Sequence, residues 1–465
     1  MFKQFLRKIL TPSSPANQAV QTVVPEEIKF KIVIVDFYDR SNSDGAKNLT
    51  DLLSPAQGLE VCCLSPDFDL SFLNFESRNF FDLIERGQNI LKQTKADVLV
   101  WGYRQDDYIR LNFQTTEQYQ DNEDSFVGLL DCMYIPAESL NTGTNLSSAL
   151  LDLLTGTVIA AVNCNSNEAR IYKKFLLKKI IGRLSQIDSA KSLGLEHMPY
   201  IMNQLGLIYM SVAAANGNEA DFKTISNLFE TALKYQKQIL DPTHLGCIYL
   251  HMGQLNDCAS VYMKKRLPFY FRSAIYNYQM AQKYFGKYTY PYDHGHICYK
   301  LSGLYYNYWK QSEDLQALRD SVSQLRECEK IFSQAQFPDF WGHIQGNLGY
   351  LLHNLAHITK NVEICRVAVN AYKNEQKVFT ENRQPLFWAK IQQKIAEIYY
   401  LEGKLSDNPE ALEEALSCFH DALYIFETSK KETAVTQVNN LIAKTRQLLG
   451  ELKDKEDEIE DFTQP

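Results

Sequence analysis

The chain has 465 residues, 45% of them hydrophobic and 22% charged, enough for two or three domains with substantial cores. A formal net charge of −8 and a sequence pI near 5.7 disfavour a dedicated nucleic-acid binder, which would carry a basic footprint. Ten scattered cysteines without a Cys-x-x-Cys pair read as reduced, mostly buried thiols of a cytoplasmic protein.

Met1 to Leu10 is too short for a secretory signal, and Thr11-Pro12-Ser13-Ser14-Pro15 interrupts it. Phe2, Phe5, Leu6, Ile9 and Leu10 nevertheless share one helical face, with Lys3, Arg7 and Lys8 elsewhere, and a Pro/Ser/Ala/Gln linker follows to residue 24. Such a basic amphipathic segment rests in a membrane interface, packs on its own protein, or frays as a chain end. The first use makes the protein peripherally membrane-associated through residues 1–10.

From Ile28 the pattern changes. Lys31-Ile32-Val33-Ile34-Val35-Asp36-Phe37 is β-branched and reads as a buried strand, followed by a helix around 45–53 and a second strand at Leu59 to Leu64. An amphipathic helix over 75–94 uses Phe80, Leu83, Ile84 and Leu91. Ala96 to Gly102 is a third strand, and Tyr108 to Phe113 alternates as its antiparallel neighbour. Strands interleaved with helices predict a small α/β domain with a mixed sheet over 28–165.

The run Ala96-Asp97-Val98-Leu99-Val100-Trp101-Gly102, with the turn and alternating strand after it, is similar to the amino-terminal domain of the Tol-system protein TolB over about 30–115. That resemblance implies a domain for protein contact instead of catalysis. Asp36 and Asp39 follow the first strand as in receiver domains, but the third strand ends in Trp101-Gly102, where a receiver places its phosphoacceptor. The loop Asp36-Phe37-Tyr38-Asp39-Arg40 also lacks the glycines that let backbone N–H groups approach phosphate.

Leu146 to Val162 is the longest apolar stretch; Asp152 interrupts it and it falls short of a bilayer span, so it predicts a buried helix. Within the connecting segment 166–194, a helix over 168–186 mixes Arg170, Lys173, Lys174, Lys178, Lys179 and Arg183 with Ile171, Phe175, Leu176, Ile180, Ile181 and Leu184. Its apolar stripe is expected to be buried and its basic face solvated, or docked on acidic lipid or an acidic partner.

Residues 195–448 form an array. Pro291, Pro338 and Pro385 stand 47 residues apart, and aligned on that interval Leu301, Leu348 and Ile395 share a column. So do Ser302, Gly349 and Ala396; Ser321, Ala368 and Ala415; and Phe332, Phe379 and Phe426. Trp341 and Trp388 are in register with His294. Apolar steps of three and four over about 341–357 and 361–380, broken at Thr359-Lys360-Asn361, make each unit a helical hairpin.

Leu348-Gly349 with Ala368, Tyr372 and Pro385, and Ala415, Phe419 and Ala422, resemble the tetratricopeptide repeat. Pro385-Leu386-Phe387-Trp388-Ala389 looks like the opening of the longer repeats of bacterial proteins, and Leu205-Gly206 with Tyr209 and Leu245-Gly246 with Tyr249 look like degenerate copies. The period exceeds the usual ~34 residues; longer helices and an extended connection from Gly403 to Pro409 would absorb the difference. The fold class is therefore α+β, mostly α: a small α/β domain followed by a TPR-like α-solenoid. The resemblance implies a concave groove lined by each first helix, selecting Asn203; His296, Lys300, Gly303 and Tyr306; His343, Asn347 and Tyr350; and Lys390, Lys394 and Glu397. The asparagines would hold a peptide backbone and the lysines would meet carboxylates.

His294-Gly295-His296-Ile297-Cys298 has metal-ligand residue types at a spacing that a helix does not bring together. The aromatic stretch 269–309 is expected to pack between repeats, with any surplus rings in the groove. Glu451 to Pro465 carries seven acidic residues against two lysines, which predicts a disordered acidic tail over 449–465. Together these features predict a non-catalytic scaffold or adaptor with no cofactor and no metal, which binds a partner protein or an extended, acidic peptide; self-association through the α/β domain is a second route to assembly. The alternatives are a membrane-peripheral organiser and, less favoured by the residues, an enzyme or nucleotide-binding activity hidden in 28–165.

Overall fold

A computed structural model describes residues 28–35, 45–64, 80–115, 131–140, 147–186, 197–213, 218–239, 241–263 and 267–463. The amphipathic segment with Phe2, Phe5, Leu6 and Ile9, and the loop with Asp36 and Asp39, lie outside them. The chain divides into two compact units, 1–297 and 298–465.

In the first unit a five-stranded mixed sheet has the order β2-β1-β3-β4-β5, with β1 (Phe30–Val35), β2 (Leu59–Leu64), β3 (Val98–Gln105), β4 (Tyr108–Thr115) and β5 (Cys132–Pro136). The first three strands are parallel, and β4 and β5 are antiparallel additions. Sequence patterning missed β5. It also ended β3 too early: Trp101 and Gly102 pair with Asn112 and Leu111 in mid-strand, so they do not stand where a phosphoacceptor would. Helices α1 (Gly45–Leu53), α2 (Phe80–Thr94), α3 (Ser148–Ala161) and α4 (Asn167–Gln186) accompany the sheet.

Two helix pairs complete this unit, α5 (Met198–Ala213) with α6 (Glu219–Lys234) and α7 (Thr243–Tyr262) with α8 (Leu267–Tyr284). A β-carbon on Gly206 would stand 2.4 Å from the Phe229 ring, and one on Gly246 would stand 2.7 Å from Phe285, so both glycines permit the close helix approach their Leu-Gly steps suggested. The boundary expected near 195 is not a break in packing. Ile32, Val100, Leu153, Leu177, Leu205, Ile208, Phe229 and Ile248 belong to one continuous apolar core.

Asp152 on α3 takes a bidentate bond from Arg183 on α4. Lys173 departs from the expected solvated face: it is buried, and its ammonium donates to the Ala160 and Val162 carbonyls at 2.9 and 2.7 Å, capping the end of α3. A cation suits the carbonyl end of a helix, and this satisfies otherwise orphaned acceptors.

The second unit takes up the rest of α9 (Pro291–Ser312) and continues with α10 (Leu315–Glu329), α11 (Pro338–Thr359), α12 (Val362–Gln376), α13 (Pro385–Ser406), α14 (Pro409–Thr428) and α15 (Glu432–Thr463). The periodic prolines open α9, α11 and α13, where a fixed φ and a missing N–H cost nothing. Each hairpin turn uses the same two positions. Glu313, Lys360 and Asp407 adopt left-handed φ of 55°, 52° and 48°, and the next residue, Asp314, Asn361 or Asn408, accepts a bond from the new helix's N–H groups. Only Asp407 and Asn408 separate α13 from α14, so the extended connection expected there is absent and the extra length of the repeat lies in its helices. Small columns meet where helices cross: the Ser302 and Ser321 hydroxyls are 3.1 Å apart, and Gly349 lies under the Tyr372 ring. Phe332, Phe379 and Phe426 are all buried. The acidic end is helical, because α15 runs on to Thr463.

Candidate functional site

The residues chosen for a groove separate into three groups. Asn203 is fully buried and belongs to a closed polar triangle in the first unit. Its Oδ1 lies 2.8 Å from His251 Nδ1, His251 Nε2 lies 3.0 Å from Asp131 Oδ2, and Asn203 Nδ2 donates to Asp131 Oδ1 at 3.5 Å. All three are at most 1% exposed, so the triangle faces no solvent. It fastens the residue preceding β5 to α5 and α7, and Gln204 adds a bond from its amide to the Cys132 carbonyl at 2.9 Å. Nearby, Arg110 on β4 holds Asp241 at 2.7 Å and the Tyr103 hydroxyl at 3.2 Å. Burial raises the Asp241 pKa, yet Arg110 and the bonds from Thr243 outweigh it and keep the carboxyl below its ordinary value. Burial pushes Asp293 up to about 7 and His244 down to about 3, so both favour their neutral forms in this interior.

His296 is half-buried and its ring packs 4.6 Å from Tyr292. The neighbouring His294 directs Nδ1 at the Phe285 carbonyl, 2.8 Å away. Both lie on α9, and no cluster of three or more metal-ligand side chains occurs among the described residues.

The third group lies in the second unit and does form a surface. On α11, His343, Asn347 and Tyr350 recur at helical spacing and are exposed. Two lateral bonds join this stripe to α9: Tyr306 to Tyr350 through their hydroxyls at 2.7 Å, and Asn347 Nδ2 to the Tyr299 hydroxyl at 3.1 Å. Between Tyr299 and Tyr306, exposed Gly303 leaves a gap with no atom within 4 Å of where its β-carbon would be. Trp309 packs 5.6 Å from the Tyr306 ring, and Lys310 lies over that ring. On α13, Lys390 is exposed and carries no ion pair among the described residues. Lys394 instead bonds Glu397 at 2.7 Å within its own helix, and Gln393 donates to the same carboxylate at 2.9 Å. Its charge is matched internally, which weakens its expected role toward acidic ligands. Burial lowers the pKa of His343, against Asp339, and of His353, against Glu397.

Two features escaped sequence reasoning. Tyr299 supplies a lateral bond that the choice of Lys300 overlooked; its offset from Asn347 by one residue more than the period was the available signal. Glu375 on α12 is a 5% exposed acid in a column otherwise occupied by Cys328 and Ala422. Burial alone drives its carboxyl from 4.5 up to about 8. The aromatic stretch divides its rings, with Tyr299 and Tyr306 joining the stripe and others standing apart from it. Phe269 and Tyr276, 62% and 57% exposed, line a recess of about 520 Å³ on α7 and α8 with Met252, Arg272, Ser273 and Asn277.

Among the described residues no helix is long and apolar enough to cross a membrane. Compared with known proteins, the chain matches no family model and no curated sequence.

Proposed function

We propose that the protein is a non-catalytic scaffold or adaptor, and that the stripe of Tyr299, Lys300, Tyr306, His343, Asn347, Tyr350 and Lys390 receives a segment of a partner protein. One observation supports this above the others: α9 and α11 carry polar and aromatic side chains along neighbouring stripes, and the two stripes are joined laterally by Tyr306–Tyr350 and Asn347–Tyr299. Rings held by such bonds lose little freedom when a ligand lands on them, and their neighbouring donors and acceptors suit an extended backbone. Binding here requires no change in the core beneath.

Site-specific photo-crosslinking tests the reading. A benzophenone amino acid at 347 or 390 should trap the same partner in cells, and one at 424, on α14, should not. Equal trapping at all three positions, or trapping at 424 alone, would place the contact elsewhere.

A further inference from the structure

Gly346 falls on the exposed stripe of α11, three residues after His343 and four before Tyr350. At the corresponding register α9 has Tyr299 and α13 has Gln393, each filling that place with its own side chain. On α11 the place is taken from behind. A β-carbon on Gly346 would stand 2.2 and 2.6 Å from the two carboxylate oxygens of Glu375, so this acid of α12 reaches through the glycine gap toward the stripe. The residue is 95% removed from solvent, and its carboxylate makes no hydrogen bond or ion pair among the described residues. An acid so far withdrawn from water and without a protein partner is costly to ionise unless something completes it.

From the unpaired Glu375 carboxyl at the Gly346 gap we infer a cation-binding point that accepts a guanidinium or ammonium group from the partner segment. The inference rests on reading the stripe as a binding face. Its surroundings fit an organic cation. Tyr372, whose pKa burial raises with further contributions from Glu375, Glu397 and Tyr350, places a ring beside the acid, and Tyr350 stands exposed on the rim. Glu397 already holds one ammonium, that of Lys394, which shows that this stretch accommodates the group. Of the titratable groups, Tyr372 on α12 faces the acid; Tyr350 on α11 and Glu397 on α13 face Tyr372 in turn, and His353 on α11 faces Glu397 and Lys394. Burial holds Glu375 protonated near neutrality, so an arriving cation displaces the carboxyl proton, and affinity rises with pH.

The test uses the full chain labelled with ¹³Cδ-glutamate and two probes of matched shape, N-acetyl-arginine amide and its uncharged analogue N-acetyl-citrulline amide. The Glu375 carboxyl signal is the one that vanishes in Glu375→Gln. The arginine probe should lower its titration midpoint by more than about one pH unit and should bind Glu375→Gln about tenfold more weakly, whereas the citrulline probe should do neither. An unmoved midpoint, or equal arginine binding by wild type and Glu375→Gln, overturns the inference. The partner-segment reading is judged separately: crosslinking at 347 and 390 with a midpoint indifferent to arginine removes the cation point and leaves that reading standing.

Discussion

Glu375→Gln should make the second unit more stable in alkaline solution, and the size of the effect follows from burial. In the folded chain the carboxyl stays protonated until about pH 8; in the unfolded chain it ionises near its ordinary value of 4.5. Between those limits the unfolded state binds fewer protons, so stability falls as pH rises from 4.5 and the loss is complete above 8. At ~1.4 kcal/mol per pH unit the span corresponds to at most ~5 kcal/mol. Glutamine has the same shape and no charge to bury. At about pH 5, where the native carboxyl is already neutral, the two proteins should differ by less than ~1 kcal/mol; by about pH 9 the variant should be ahead by several. Urea unfolding at intervals across that range is the assay. Tryptophan fluorescence suits it because Trp309, Trp341 and Trp388, three of the four tryptophans, lie in the second unit. Parallel pH profiles for the two proteins would mean that the acid is solvated or paired in solution and would refute the argument.

Two glycines on neighbouring first helices should respond in opposite directions. Gly303→Ala enters open space and should stabilise by ~0.5–1 kcal/mol through helix propensity, while Gly346→Ala must displace the Glu375 carboxyl and should destabilise by ~1–3 kcal/mol, both read from urea midpoints. Asn203→Ala should cost the first unit ~1–3 kcal/mol by taking the partner from His251 Nδ1 and a donor from Asp131 Oδ1 while the His251–Asp131 bond remains, and should leave partner crosslinking at 347 intact. Asn361→Ala removes the cap of α12 and should lower stability by ~1 kcal/mol, whereas Asn361→Asp should retain it, by the same measurement.

Architecture was legible because it repeats. The prolines, the small columns and the buried phenylalanines each recur for a packing reason that acts identically in every copy, so three instances identify the rule. The hairpin turn was less visible. Its left-handed residue is Glu, Lys or Asp, none of them glycine, and only the Asp or Asn that follows marks the site. Strand β5 was hidden for a different reason. Cys132-Met133-Tyr134-Ile135-Pro136 is short and apolar on both faces, without the alternation that marked β4. Lys173 showed how a basic residue on an amphipathic helix can serve a neighbouring helix end, a destination no single-helix pattern encodes. Asn203 is buried because its position before Leu205-Gly206 was transferred from exposed first helices to one where Asp131, just before β5, and His251 of α7 close over it.

The same contrast explains why the exposure of the chosen first-helix residues was legible in the sequence and their free charge was not. Exposure follows helix geometry, so the spacing of His343, Asn347 and Tyr350 sufficed to predict it. Charge available to a ligand depends instead on side chains that arrive from other turns and other helices. Lys394 counts as a cation in the sequence, but Glu397 one turn on cancels it; Gly346 counts as nothing, yet it is where Glu375 reaches the face. Under the proposed reading, the α11–α13 stretch would offer Lys390 to an acid and Glu375 to a base, a dipolar arrangement suited to a segment carrying both signs in a fixed order. An all-acidic ligand would satisfy Lys390 and leave Glu375 bare, which is the feature by which the two kinds of partner differ.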